Sequence, residues 1–295
     1  MGITIWSGLT EGAIFALVAA GFQLSLIPSG VFNFAQGAIV VGGTFLTYLW
    51  LESIGVPFVP ALALNLLGGI ALGALAEIIS VRPLRWRATA DDAGGPPVEL
   101  VTTVGLSFAL IGTFGLIWGY LPLRVPFFGP TGTVEFLGIR SNPVQILLVV
   151  GAIVVAVSLQ LWFSRSRLGQ ACLAVAEDRD SAMVRGINVN RLSIGAFAAA
   201  GALGTVSAMA IGPVTFASPE VANLLAVSGF VALAVGGETS FLGSLFGGFL
   251  IGIVSALAVR YIGNAYGDIS LFIVLLLTLM LRPQGIGGEA QTRTV

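Results

Sequence analysis

The side chains best suited to chemistry are concentrated in residues 164–192, here called the charged segment, of a chain that is otherwise strongly apolar. Its eight charged side chains are Arg165, Arg167, Glu177, Asp178, Arg179, Asp180, Arg185 and Arg191. Carboxylate and guanidinium groups of both signs, on a stretch whose composition favours helix, suit the binding of another protein. We therefore interpret the charged segment as a surface that is held by a soluble partner.

The chain contains no lysine and no histidine, which excludes several classes of catalytic and metal site. A lysine-containing phosphate-binding loop, a Ser–His relay, an HExxH zinc site and a His-ligated haem are all ruled out. The single Cys172 has no partner for an intrachain disulfide, and a net charge of −1 offers no basic surface to nucleic acid. We predict no catalytic residue, no metal ligand and no cofactor in this chain, and an intramembrane enzyme is disfavoured.

A second group of polar residues lies within the apolar part of the sequence, just after the break at residues 28–30. Asn33 and Gln36 are three apart and would share one face of a helix, with Phe32 and Phe34 beside them. An amide without partners is costly in lipid, so both should face protein or a water-filled path.

The short apolar run 222–236 carries two further polar side chains, Asn223 and Ser228, after breaks at residues 212–213 and 218–219. Broken helices of this kind place backbone dipoles near transport sites. Two interpretations of the embedded polar residues remain open: hydrogen bonds between helices, or the lining of a path for a transported solute. Under the second, the path residues are Phe32, Asn33, Phe34, Gln36, Asn223 and Ser228.

The composition requires these residues to be positioned by membrane helices. Hydrophobic residues make up 56% of the chain and charged residues 9%, with a mean hydropathy of +1.00, whereas soluble domains carry about 25% charged residues. Apolar runs fall at about 3–20, 33–50, 58–80, 99–119, 143–163, 193–213, 222–236, 241–259 and 268–282. We expect an all-α integral membrane protein with one domain over 1–295: a polytopic bundle of about eight to nine transmembrane helices with broken or re-entrant segments.

The arginines predict the orientation of these helices. Ten arginines lie in residues 81–98, in the charged segment and around the last helix, and three (Arg124, Arg140 and Arg260) lie in the alternate loops. Cytoplasmic loops carry the excess of positive charge. We therefore expect the charged segment and the C-terminus to be cytosolic.

Within the charged segment, residues 173–185 are predicted to form one short helix that ends at Gly186 in a left-handed conformation. Its apolar stripe consists of Leu173, Val175, Ala176, Ala182 and Met183. A solvated connector is one interpretation. The other is docking in a groove of a partner, since so short a helix is unstable alone in water.

Five stretches together give a resemblance to a known family. They are 8–17 (GLTEGAIFAL), 31–37 (VFNFAQG), 168–188 with its LGQAC, AED and GIN elements, 180–186 (DSAMVRG) and 281–285 (LRPQG). They are similar to the LivH-type permeases of the branched-chain amino acid ABC importer family, whose signatures include NFAHG and the EAAxxxG loop. Two departures are Gln36 in place of the family's histidine and the absence of the IxLP element after the loop.

The resemblance implies an ATPase-coupling role for the charged segment, carried by Ala176, Glu177, Asp178, Asp180, Ser181, Ala182, Met183 and Gly186. It also implies a permease subunit in the plasma (inner) membrane of a prokaryote that forms half of a path for branched-chain or other hydrophobic amino acids. The expected partners are a second related permease, two cytosolic ATPases that bind ATP and Mg²⁺, an extracytoplasmic solute-binding protein and membrane lipid. The alternative function is a passive channel or facilitator for small polar solutes such as urea or short amides, which would not need the charged segment.

Overall fold

The computed structural model describes residues 1–83, 98–130, 132, 134–136, 139–282 and 284–287. Eleven α-helices occur within them. They are α1 (Gly2–Ser29), α2 (Gln36–Tyr48), α3 (Phe58–Ala76), α4 (Val98–Trp118), α5 (Pro143–Arg165), α6 (Arg167–Glu177), α7 (Arg179–Val184), α8 (Val189–Thr215), α9 (Val221–Gly236), α10 (Phe241–Tyr261) and α11 (Tyr266–Leu281). Helices α2 and α3 each continue into a π-helical turn, Leu49–Ser53 and Glu77–Val81.

Nine of these helices coincide with the nine apolar runs of the sequence, and the charged segment supplies the remaining two. Among the described residues, six helices are long and apolar enough to cross a membrane. Helices α9 and α11 have 16 residues each, and at about 1.5 Å per residue they are shorter than a hydrocarbon core of about 30 Å. The helical membrane class is confirmed, whereas the number of spans remains a prediction.

The all-α class is borne out, and one loop adds a short pair of strands to it. Strands β1 (Val134–Phe136) and β2 (Ile139–Ser141) pair antiparallel between α4 and α5, with Glu135 opposite Arg140. The hydropathy argument concerned only the membrane helices and did not address this loop. Three arginines used for the orientation, Arg85, Arg87 and Arg293, lie outside the described residues.

The chain divides into two compact units. The first unit comprises Met1–Gln23, Thr131–Trp162 and Val227–Val295, and the second comprises Leu24–Pro130 and Phe163–Ala226. In the first unit, the N-terminal half of α1 packs directly on the backbone of α10. A Cβ atom built on Gly12 would lie 2.7 Å from the Cα of Phe249, and one on Gly8 would lie 2.7 Å from the Cα of Ile253. Small residues permit this close approach, which replaces the hydrophobic drive that helices in lipid lack.

The second unit has a similar contact between α3 and α8, where Gly69 and Gly201 meet. Hydrogen bonds from polar side chains also join α3 to its neighbours α2 and α8. The amide of Asn65 donates to the hydroxyl of Thr47 over 2.7 Å, and the hydroxyl of Thr205 donates to the backbone carbonyl of Asn65 over 2.8 Å. All three side chains are fully buried, so this unit holds its helices together by both close packing and hydrogen bonds.

Candidate functional site

The charged segment folds as two short capped helices. Helix α6 begins after Ser166, whose hydroxyl accepts a hydrogen bond from the backbone N–H of Gly169 over 2.9 Å. Serine is favoured at this position because it satisfies one of the otherwise unpaired N–H groups of the first turn. The segment is therefore a defined structure that the sequence specifies locally.

Asp178 separates the two helices, and the prediction of one continuous helix over 173–185 is wrong. Its backbone is extended (φ −150°, ψ 107°), and its Oδ1 accepts hydrogen bonds from the N–H groups of Asp180 and Ser181 at 3.0 and 3.1 Å. The hydroxyl of Ser181 donates to Oδ2 over 2.5 Å. An aspartate that caps the next turn competes with continuation of the preceding helix, which is why α6 ends at Glu177 and α7 starts at Arg179.

The same hydrogen bonds control the charge of Asp178. Donation from the Ser181 hydroxyl and then from the Ser181 backbone N–H lowers the pKa of the Asp178 carboxyl. The carboxylate is exposed, as are those of Glu177 and Asp180. The three carboxyl groups of Glu177, Asp178 and Asp180 therefore form an exposed acidic edge of the charged segment.

Gly186 ends α7 as the sequence predicts. Its φ is +86°, its N–H donates to the carbonyl of Met183 over 2.9 Å, and the N–H of Ile187 donates to the carbonyl of Ala182 over 3.1 Å. This pair of bonds is the Schellman arrangement, which requires a left-handed residue. Asn188 then caps α8, its Oδ1 accepting from the N–H of Arg191 over 3.1 Å.

Some side chains of the apolar stripe of the charged segment are buried and others are exposed. Val175 and Ala182 are buried with Val189, and Ile187 and Leu192 pack against this cluster. Ala182, predicted at the docking surface, therefore lies in the interior of the segment. Its side chain helps α6 and α7 rest on the start of α8.

The outward face of α7 presents apolar side chains to its surroundings. Met183 is 48% exposed and Val184 is 89% exposed. Ala176 and Ser181 are also exposed. An exposed apolar tip therefore lies beside the acidic edge on the outward side of the charged segment. The sequence analysis missed Val184. Its exposure depends on the position at which α7 starts, which is set by the break at Asp178.

Cys172 lies on the inner side of α6 and is 3% exposed. Burial raises the pKa of its thiol to about 11. The neutral thiol therefore acts as a small packing residue. Within the described residues, no group of three or more His, Cys, Asp or Glu side chains is placed to hold a metal ion.

The embedded amides follow a different pattern from the predicted shared helix face. Helix α2 begins at Gln36, whereas Asn33 precedes it in the link from α1. Both side chains are fully buried. The Gln36 amide donates to the carbonyl of Ala200 on α8 over 3.0 Å, while neither Nδ2 nor Oδ1 of Asn33 has a hydrogen-bond partner within the described part of the chain.

Thr103 on α4 holds this link in place. Its hydroxyl accepts from the N–H of Phe34 over 3.4 Å, and its one proton is within reach of two carbonyl oxygens, that of Leu100 on the same helix at 2.9 Å and that of Phe32 at 3.1 Å. The Phe32 and Phe34 rings lie 6.4 Å apart between centroids. The sequence could not single out Thr103, since nothing in its local pattern links residue 103 to residue 33.

The two remaining candidate path residues, Asn223 and Ser228, are on α9, whose first turns pack against α2 at Gly37. Asn223, in the first turn of α9, is exposed. Ser228 belongs to the first unit, where its hydroxyl is fully buried and has no hydrogen-bond partner among the described residues. Phe32, Asn33, Phe34, Gln36 and Asn223 thus belong to the second unit, and Ser228 belongs to the first.

Comparison with known proteins gives consistent results along the chain. The family described as "Branched-chain amino acid transport system / permease component" matches residues 4–280. The chain is 30% identical to the high-affinity branched-chain amino acid transport system permease protein BraD of Pseudomonas aeruginosa, covering 98% of this chain and 96% of that protein. It is 26% identical to the LivH permease protein of Escherichia coli (strain K12), covering 99% and 96%.

A solved structure shares the fold. The match is to PsaBC from Streptococcus pneumoniae in complex with Fab, with a TM-score of 0.51 and 12% sequence identity over 94% of this chain and 91% of that one. At this identity the likeness concerns the arrangement of the helices alone.

Proposed function

Because this chain belongs to the family of branched-chain amino acid transport system permease components, we propose that it forms half of the translocation path of an ATP-driven amino acid importer. The chain is a multi-pass membrane permease of LivH type, and its family is one of transport proteins rather than enzymes. The substrate class we propose is branched-chain or other hydrophobic amino acids. Its relatives BraD and LivH carry branched-chain amino acid transport in their names.

The observation that carries the proposal is the exposed face of α7. A membrane permease has no need of a capped, acidic-edged helix with apolar side chains at its tip unless another protein binds it. The coupling surface we propose combines the exposed side chains of Met183 and Val184 with the acidic edge at Glu177, Asp178 and Asp180. The partner is a cytosolic ATPase, which binds the ATP and Mg²⁺ that this lysine-free chain has no loop to hold.

The caps of α7 make it suitable for transmitting force. Asp178 fixes its first turn and Gly186 its last, and the Val175, Ala182 and Val189 cluster fixes it to α8. Movement of the ATPases would therefore be passed to a long membrane helix. A full switch between two permease conformations requires nucleotide to favour one of them by about 5.5 kcal/mol.

Substrate passage is assigned to the region of Asn33. A fully buried amide with no partner is unfavourable, so it is best understood as a group that finds its partner in another conformation of the transport cycle. The complete machine would contain a second permease, two ATPases and an extracytoplasmic solute-binding protein in a prokaryotic inner membrane, with the charged segment in the cytosol.

Mild-detergent purification of the tagged chain from its native membrane tests this assembly. Stoichiometric recovery of an ATPase with Walker motifs and of a sibling permease is expected. Recovery of the chain alone, as an oligomer that conducts urea or short amides in vesicles without ATP, would establish a passive channel instead.

A matched glycine pair tests the coupling surface. A Cβ atom meets nothing within 4 Å at either Gly186 or Gly195, but only Gly186 has a positive φ. Gly186→Ala therefore costs about 1–2 kcal/mol of local backbone energy, whereas Gly195→Ala, inside α8, adds helix propensity. We expect Gly186→Ala to weaken ATPase recovery and uptake about 5–30-fold, Gly186→Asn to be milder because asparagine tolerates this conformation, and Gly195→Ala to be neutral. Equal uptake by all three variants would refute the coupling assignment.

A further inference from the structure

A cleft of about 470 Å³ lies inside the second unit, against the inner side of the charged segment. Residues 29–31 at the end of α1 form one wall and Glu99 in the first turn of α4 forms another. Val175, Ala176 and Arg179 of α6 and α7 form the third. The volume falls within the range of about 300–1,000 Å³ typical of small-molecule sites.

The two charged side chains of this cleft have opposite signs and do not pair with each other. Within the described part of the chain, neither the Glu99 carboxylate nor the Arg179 guanidinium takes part in an ion pair or a side-chain hydrogen bond. A purely anionic ligand would be repelled by Glu99 and a purely cationic one by Arg179. A ligand with both charges satisfies both groups at once.

The rest of the lining is suited to an aliphatic side chain. Val31, Val175 and Ala176 contribute apolar atoms to the lining of the cleft, and most of the Val31 and Val175 side-chain surface packs inside the protein. Polar groups that fix orientation, set in an apolar wall, are the common composition of a small-molecule site.

We propose that this cleft binds a free aliphatic amino acid, with its α-carboxylate on Arg179, its α-ammonium group on Glu99 and its side chain against Val31 and Val175. Such a ligand touches α1, α4 and the charged segment together. It therefore stabilises the conformation in which α6 and α7 lie against the end of α1 and opposes their movement. The transported amino acid would then inhibit its own import after release, a conclusion that rests on the proposed function for the side of the membrane and the role of α7.

Binding to the assembled transporter in nanodiscs, without the solute-binding protein, tests the cleft directly. The probes are L-leucine, 4-methylpentanoate, which lacks the ammonium group, and 3-methylbutylamine, which lacks the carboxylate. Loss of one charge-assisted contact should weaken binding about tenfold or more. The two analogues should therefore bind the wild-type protein at least that much more weakly than leucine.

Charge-neutralised variants locate the binding. Glu99→Gln and Arg179→Gln should each weaken leucine binding by the same factor, whereas Arg124→Gln, an exposed arginine of the same unit away from the cleft, should leave it unchanged. Leucine binding that survives both cleft substitutions, or that does not discriminate against the amine and the acid, overturns the proposal. If one cleft variant fails to assemble, the other still decides the site, because each substitution alone removes one of the two charged contacts.

Transport into proteoliposomes preloaded with leucine tests the regulatory consequence. Internal leucine should slow ATP-driven uptake by the wild-type and Arg124→Gln proteins, and the ratio of rates with and without internal leucine should return towards one in the two cleft variants. If uptake is normal but leucine does not bind the cleft, the inference about the cleft is refuted and the proposed function stands. Absence of ATP-driven uptake in every preparation defeats the proposed function, while the binding measurement still decides the cleft.

Discussion

Replacing Asn33 with leucine should leave the protein at least as stable while impairing transport. The Asn33 side chain is fully buried, and both of its polar atoms lack hydrogen-bond partners among the described residues. An unsatisfied buried group of this kind costs about 1–3 kcal/mol. Leucine has a similar shape and no polar atoms, so the substitution removes this penalty from the folded state.

The opposite outcome is expected at a buried residue whose polar atom is paired. Thr205→Val is nearly isosteric and removes the hydroxyl that donates to the Asn65 carbonyl over 2.8 Å. Hydrogen bonds between membrane helices contribute about 0.6–2 kcal/mol, so the free energy of unfolding of this variant should fall by that amount. The two substitutions lie in the same unit, which makes Thr205→Val a control for the effect of burying an extra methyl group.

Thermal stability and leucine uptake are both measured on the assembled transporter. Thermal unfolding in nanodiscs should give an unchanged or higher midpoint for Asn33→Leu and a lower one for Thr205→Val. Uptake of leucine into proteoliposomes should fall about tenfold or more for Asn33→Leu, the loss expected for one hydrogen bond to a charged substrate group. A midpoint for Asn33→Leu as low as that of Thr205→Val would show that Asn33 has a structural partner, and unchanged uptake would remove it from the path.

Three further predictions concern packing, charge and exposure. A Cβ atom on Gly69 would lie 2.8 Å from the backbone carbonyl carbon of Gly201, whereas one on Gly68 meets only the Leu46 side-chain tip. Gly69→Ala should therefore destabilise the chain by about 1–3 kcal/mol, and Gly68→Ala should destabilise it by less. Equal unfolding midpoints for the two variants would contradict the close contact. The lowered pKa of Asp178 means that its carboxylate stabilises α7 above the usual pKa of about 3.9 and that this contribution is lost as pH falls through the lowered folded value. The protection of the α7 amides, taken relative to the intrinsic exchange rate at each pH, should fall there in the wild type but not in Asp178→Asn, which keeps an oxygen acceptor. A loss of protection at low pH that is retained in Asp178→Asn would argue against this origin. Buried Cys172, with its pKa of about 11, should react with maleimide far more slowly than the cysteine introduced by Val184→Cys. Bound ATPase should protect only the introduced cysteine from maleimide. Labelling of Val184→Cys that is insensitive to the ATPase would place the docking surface elsewhere.

Several features of this protein follow from local sequence alone. The nine apolar runs coincide with nine helices because hydropathy over about twenty residues determines whether a segment is stable in lipid. Gly186 ends α7 in a left-handed conformation because glycine alone adopts it without strain. The family could also be identified at this level, since its signatures are short contiguous strings.

Other features depended on contacts between distant residues. Asp178 was equally compatible with a helix interior and with a cap, and the packing of Val175 and Ala182 on Val189 accompanies the cap. That break turned Ala182 inward and left Val184 exposed. The pairing of Gln36 with Ala200 and the absence of a partner for Asn33 likewise depend on where α8 lies.

The cleft that contains Glu99 and Arg179 illustrates the same limit, because its lining comes from four places in the sequence. Neither residue stands out in its own segment, and their relation exists only when α4 is folded beside α6 and α7. The sequence by itself determined the membrane class, the helix positions and the family, all of which depend on local composition. Tertiary structure decided which polar groups are paired, which apolar groups face outward and which charged groups line the same cleft, because these depend on distances between residues far apart in the chain.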